Sequence, residues 1–172
     1  MCAFSVRMVL LAVAAAAGAA SQSSGHADLK PADERQPAPD FALRDAAGKT
    51  ATLKEYKGKV VLLDFWATWC TGCKQEIPWF TEFQRKFGTT HFAVVGVSLD
   101  EGGWAVLKPY LDQNPVPYRM LLGDQATAKR YAIQNLPDTF VIDRQGRVAA
   151  AYLGRLVNRD EIEGLIQTLL AK

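Results

Sequence analysis

From Ala38 onward, apolar positions fall into short alternating or continuous runs separated by turn chemistry. Pro39-Asp40-Phe41-Ala42-Leu43 alternates with period two, Asp45-Ala46-Ala47-Gly48 turns, and Thr50 to Leu53 returns, which predicts a hairpin. Val60 to Leu63 is a continuous apolar run that predicts a buried strand, and Phe92 to Leu99 is a second. Between them Ile77, Phe80, Phe83, Gln84 and Phe87 share one helical face, which predicts a helix over Cys70 to Phe87. Pro78 removes an N–H inside that helix and crowds the carbonyl of Lys74, so a kink is expected there.

Further along, Trp104 to Asp112 predicts a helix that Asn114-Pro115-Val116-Pro117 stops. Tyr118 to Leu122 reads as a short strand and Gln125 to Tyr131 as a short helix. Two strands, Thr139 to Ile142 and Val148 to Leu153, flank a turn at Asp143-Arg144-Gln145-Gly146. A last amphipathic helix starts at Asn158 or Arg159 and carries Ile162, Leu165, Ile166, Leu169 and Leu170. This order of elements predicts a mixed α/β sheet with helices on both faces.

The 172 residues make one domain, long enough to bury a core without disulfide staples. A formal charge of +2 argues against nucleic acid or an anionic membrane as partner, and a monomer is expected. Arg7, the apolar run Met8 to Ala17 and the small residues Ala17-Gly18-Ala19 predict a cleaved signal peptide over residues 1–20. An uncleaved membrane anchor is the alternative, although the run is short and alanine-rich for a spanning helix. Residues 21–37 read as a polar disordered linker, which leaves 38–172 as the folded domain. Cleavage would remove Cys2 and leave Cys70 and Cys73 in an exported compartment, where a disulfide persists.

Those two cysteines lie where a strand ends and a helix begins, in Asp64-Phe65-Trp66-Ala67-Thr68-Trp69-Cys70-Thr71-Gly72-Cys73. A helix N-terminus stabilises negative charge, so Cys70 should be the thiolate, with Lys74 adding a positive charge nearby. Cys73, three residues on and on the same face, is close enough to form a disulfide with Cys70. Lys74 in place of His after Cys73 excludes haem attachment, and zinc would need ligands that only Cys2, His26 and His91 could supply. A merely structural disulfide across so short a loop would stabilise weakly. The expectation is a redox dithiol with no metal site and no cofactor beyond the Cys70–Cys73 disulfide; a Cu(I)-handling module is the non-enzymatic alternative. Asp64 interrupts an apolar strand, where an unpaired carboxylate is costly and asks for a reason. Glu76 lies one turn beyond Cys73, where a first-turn Glu also favours the helix dipole. Trp66 reads as core, and His91 as a surface or capping residue.

Val61-Leu62-Leu63-Asp64-Phe65-Trp66-Ala67 leading into Trp69-Cys70-x-x-Cys73 resembles the active-site strand and helix of thioredoxins. Cys73-Lys74-Gln75-Glu76-Ile77-Pro78 resembles the TlpA/ResA-type periplasmic thiol–disulfide oxidoreductases, whose second cysteine is followed by x-x-Glu-x-Pro. The pattern from Pro39 to Gly58-Lys59 resembles the N-terminal extension that TlpA-like proteins share with peroxiredoxins. The resemblance implies a thioredoxin-like fold with an N-terminal β-hairpin extension and a central strand–helix insertion. It implies Cys70 as nucleophile, Cys73 as resolving thiol, and Asp64 or Glu76 as proton acceptor. Pro137 would be a cis-proline facing the dithiol, with Leu136 offering its backbone to an extended substrate and Trp69, Thr71 and Gly72 completing the docking surface. Implied partners are protein disulfides or dithiols and a membrane thiol electron donor, in the periplasm, with cytochrome c maturation as a family role.

Five positions depart from the relatives. Gly96 stands where thioredoxins pair a lysine with the buried Asp, and Asp138 follows Pro137 where Thr or Ser is usual. Ala67 occupies the place of the peroxiredoxin Thr, so peroxidase activity is not expected. Thr71-Gly72 is neither the Gly-Pro of thioredoxins nor the Pro-His of DsbA-like oxidants, which leaves oxidase or isomerase as the alternative to reductase.

Overall fold

The structure, a computed structural model, describes residues 29–172. The signal-peptide reading, Cys2 and His26 lie outside the described residues.

Two strands with every position buried form the centre of the fold: β3 (Val60–Trp66) and, parallel to it, β4 (Phe92–Ser98). Continuous apolar runs of this kind are what a strand covered on both faces requires. Around them are β1 (Ala42–Asp45), β2 (Thr50–Thr52), β5 (Arg119–Leu122), β6 (Asp138–Ile142) and β7 (Val148–Leu153). The seven-stranded mixed sheet has the order β2-β1-β5-β4-β3-β6-β7, with β3, β4 and β5 parallel and the other pairs antiparallel. The β1–β2 hairpin is thus one edge of the sheet, and β5 is the strand of the central insertion.

The helices are α1 (Thr71–Phe87), α2 (Trp104–Gln113), α3 (Gln125–Arg130) and α4 (Arg159–Leu170). Leu62 and Trp66 of β3 pack on one face with Phe80 and Phe83 of α1, Leu107 of α2 and Ile162 and Ile166 of α4. The alternate residues Val61, Leu63 and Phe65 point to a second core with Phe41, Leu43, Leu53, Tyr131 and Phe140. Period-two alternation in one strand therefore feeds two cores. Helix α1 runs through Pro78 to Phe87, and α2 likewise contains Pro109. The buried Gln84 amide fastens the end of α1: its oxygen accepts from Val94 N (2.7 Å) and its Nε2 donates to Gly88 O (2.8 Å).

The disordered-linker reading of 21–37 is corrected for residues 29–37. Ala32–Glu34 forms a single 3-10 turn, Lys30 N donates to Ala149 O, Val148 N donates to Gln36 O, and Pro37 bridges to Arg147. Arg35 is buried and pairs with Asp143 at 3.1 Å. Composition registered the polar residues and prolines of this stretch. It could not show that the free edge of β7 and a buried carboxylate were waiting for them.

Candidate active site

Thiol chemistry is placed by the β3–α1 junction. After β3 ends at Trp66 the chain turns, with Cys70 N donating to Ala67 O (3.1 Å), and Cys70 becomes the N-cap of α1. Cys73 N donates to Cys70 Sγ at 3.1 Å, and the two cysteines are joined by a disulfide. Cys73 is fully buried while Cys70 retains 6% exposure. A sulfur in this position receives the N-terminal amide and the helix dipole together, which favours the thiolate form.

The sequence-predicted docking residues lie beside the cysteines in the chain or on the segment before β6. Trp69 is 67% exposed, Thr71 is exposed, and the Leu136–Pro137 peptide bond is cis, immediately before β6. A Cβ on Gly72 would lie 3.3 Å from Leu156 Cδ2 and 3.6 Å from Pro137 Cδ. The active-site helix, the cis-proline and the β7–α4 loop therefore meet at Gly72. Leu156 and its loop were missed by sequence reasoning, because nothing local to residues 154–157 signals that Leu156 reaches Gly72, between the two cysteines.

Two buried carboxylates hold that loop at both ends. Asp138 accepts from Gly154 N, and Glu76 Oε1 accepts from Val157 N at 2.7 Å. Burial pushes the Asp138 carboxyl up from its ordinary range, and the Gly154 N–H opposes this. Burial likewise raises Glu76 from 4.5 to about 7, against the lowering effect of Val157 N–H. Asp138, which follows Pro137, is 2% exposed and is engaged with Gly154 just past the end of β7.

Asp64 is 1% exposed and sits among the β3 core residues. Burial pushes its carboxyl well above the ordinary range, and the nearby Glu76 adds to the effect; the Thr139 hydroxyl, donating to Oδ1 at 3.4 Å, opposes it. Asp64 Oδ2, Glu76 Oε2 and Trp66 Nε1 are buried without a hydrogen-bond partner among the described residues. The register places Gly96 directly beside Asp64, at the position where a thioredoxin lysine would stand. A Cβ there would overlap Met120 Sδ, so methionine fills the space a lysine side chain would need. Among the described residues Asp64 thus has no lysine beside it, and burial without a cation raises its affinity for a proton.

Lys74 stands over the Tyr110 ring, 5.6 Å from its centroid, and Tyr110 in turn packs on the buried Trp66 at 5.4 Å. The inserted helix α2 therefore helps hold a cation one turn from Cys70. His91 is exposed and precedes β4, its carbonyl accepting from Val60 N. Among the described residues no group of three or more His, Cys, Asp or Glu side chains is arranged to hold a metal ion. Nor is any described helix long and apolar enough to cross a membrane.

Known proteins resemble this chain. Residues 35–151 match the AhpC/TSA family. The thiol-disulfide oxidoreductase ResA of Bacillus subtilis strain 168 is 32% identical over 151 residues, 86% of this chain and 83% of that protein. ResA of Bacillus anthracis is 29% identical over 163 residues, covering 94% of this chain and 93% of that protein. Among solved structures, a thiol:disulfide interchange protein of DsbE type from Chlorobium tepidum superposes with a TM-score of 0.73 at 34% identity, over 79% of this chain and 96% of that one.

Proposed function

The chain belongs to the AhpC/TSA family and is a thiol–disulfide oxidoreductase of thioredoxin-like fold, and on that premise we propose that it is an exported reductase of protein disulfides. Residues 1–20 direct export, and a membrane thiol carrier returns electrons to the Cys70–Cys73 disulfide. Reduction of cysteines destined for cytochrome c is the family role this reading assigns to it.

In the reduced enzyme the Cys70 thiolate attacks one sulfur of the substrate disulfide, a mixed disulfide forms, and the other substrate sulfur leaves as a thiolate. Cys73 then loses its proton to Asp64 in its ionised form, whose proton affinity burial has raised, with the ionised form of Glu76 as the second buried acceptor. Its thiolate attacks Cys70 Sγ, the mixed disulfide breaks, and the second substrate sulfur departs. Two electrons have passed to the substrate and the Cys70–Cys73 disulfide is restored. Trp69, Thr71, Gly72, Leu136 and Pro137 hold the substrate segment against Cys70.

One observation supports the division of labour: Cys70 caps the helix and keeps 6% exposure, whereas Cys73 is fully buried. The test is a trap. Cys73→Ser should accumulate a mixed disulfide between Cys70 and a substrate cysteine, visible by mass spectrometry, and Cys70→Ser should not. The reverse pattern would exchange the two roles.

A further inference from the structure

Between the end of the β3 ladder at Trp66 and the first turn of α1, the backbone N–H of Thr68 has neither a strand nor a helix to bond to. It is met instead by a side chain from the segment that follows the other central strand. Both carboxylate oxygens of Asp100, just past the end of β4, accept from Thr68 N, at 3.1 and 3.0 Å. Thr68 Oγ1 donates to Asp100 Oδ1 at 2.6 Å, so one residue of the loop is held by backbone and side chain together. The carboxylate is itself oriented: Ser98 Oγ donates to Asp100 Oδ2 at 2.8 Å, and Asp100 N donates back to Ser98 Oγ at 3.2 Å. The whole unit is rooted in the sheet core, with Ser98 at 0% and Asp100 at 6% exposure.

We propose that Asp100 is a positioning residue for disulfide exchange, fixing Thr68 so that Trp69 faces outward and Cys70 Sγ is held at the N-cap of α1. The proposal rests on Cys70 being the attacking thiol. The two residues after Thr68 are the exposed Trp69 and the nucleophile itself, so any freedom at Thr68 passes directly into both. Hydrogen bonds to an ionised acceptor are the strong ones, and a three-donor carboxylate anchored by Ser98 at the end of β4 suits a loop that must not move. Displacement of a reacting sulfur by a fraction of an ångström is costly, because the line of attack on a disulfide is narrow.

The alternative is that Asp100 matters only through its charge. The two accounts give opposite signs. A bare negative charge near Cys70 disfavours the thiolate, so its removal would lower the pH at which Cys70 is alkylated. Loss of positioning takes the sulfur out of the N-cap and raises that pH instead.

The test uses the full chain in its reduced form. Iodoacetamide alkylation of Cys70 is followed across pH, together with attack on a cysteinyl peptide carried as its thionitrobenzoate disulfide. Asp100→Ala should slow the attack about tenfold and move the alkylation midpoint upward. Asp100→Asn, whose amide oxygen still accepts from Thr68 N, should stay within about threefold of the unaltered protein. Thr68→Val, which keeps the N–H and loses the hydroxyl, should fall between them, and it decides the matter if Asp100→Ala does not unfold cooperatively. An unchanged attack rate in these variants, or a midpoint that falls, would overturn the proposal. A failure of the unaltered protein to attack the peptide disulfide at all would instead sink the assignment of Cys70 on which it rests.

Discussion

Asp64 and Glu76 are the residues whose environment says most about the chemistry. Both are carboxylates inside the α1-side core, each with one oxygen that finds no partner among the described residues. Such groups cost stability and are retained where a proton must be held and passed on. Glu76 has its pKa raised from 4.5 to about 7 by burial, so the folded protein keeps a proton that the unfolded chain gives up. Its stabilising contribution is therefore complete below pH 4.5 and is lost as pH rises through about 7, an effect of about 3 kcal/mol at most. Asp64, shifted in the same direction, adds to that loss. The oxidised protein should be more stable at pH 5 than at pH 8. Glu76→Gln should flatten this dependence, as read from urea midpoints at the two pH values. An undiminished pH dependence in that variant would move the effect to other groups. The sequence showed that Asp64 was anomalous in an apolar strand. It did not show that Glu76 turns inward to bond Val157, because a glutamate near the start of a helix is ordinary in itself and Val157 lies 81 residues away.

Among the elements, the central strands are the most constrained and were the most legible. Runs such as Val60 to Leu63 and Phe92 to Leu99 admit little besides buried strands, and β3 and β4 occupy them. The cap at Asn158, with its side chain accepting from Asp160 N and Glu161 N, was equally readable as the start of α4. What could not be read was how separate elements meet: Met120 of β5 filling the space beside Gly96, or Leu156 closing on Gly72. Gly96 tests the first of these. Alanine is the better strand residue, so a propensity argument alone makes Gly96→Ala neutral or stabilising. With Met120 Sδ inside the space of the added methyl, the substitution should instead cost about 1–3 kcal/mol by chemical denaturation. Pairing it with Met120→Ala should cost less than the sum of the two single changes, the non-additivity expected of direct contact. Strict additivity would mean that the two residues do not share that space.

At the scale of the whole molecule, the fold is closed at one edge by residues that composition assigned to a linker. Arg35 and Asp143 form a buried pair that Arg147 also joins, and the backbone from Lys30 to Pro37 lies along β7. If this segment belongs to the domain, Arg35→Ala should lower stability by about 3 kcal/mol, near the low end for uncoupling a buried pair because Arg147 stays with Asp143. A free tether would tolerate the change without loss. At the opposite end of the sheet, past the end of β3, the dithiol sits at the start of α1 with Lys74 nearby and the buried carboxyls of Asp64 and Glu76 in the core. The central claim is that this dithiol gives electrons to protein disulfides, and the equilibrium reduction potential of Cys70–Cys73 tests it most directly. Measured on the protein lacking residues 1–20 against a thiol–disulfide buffer at pH 7, it should fall near the thioredoxin value of about −270 mV. A value near that of DsbA, about −120 mV, would make the protein an oxidant and contradict the account.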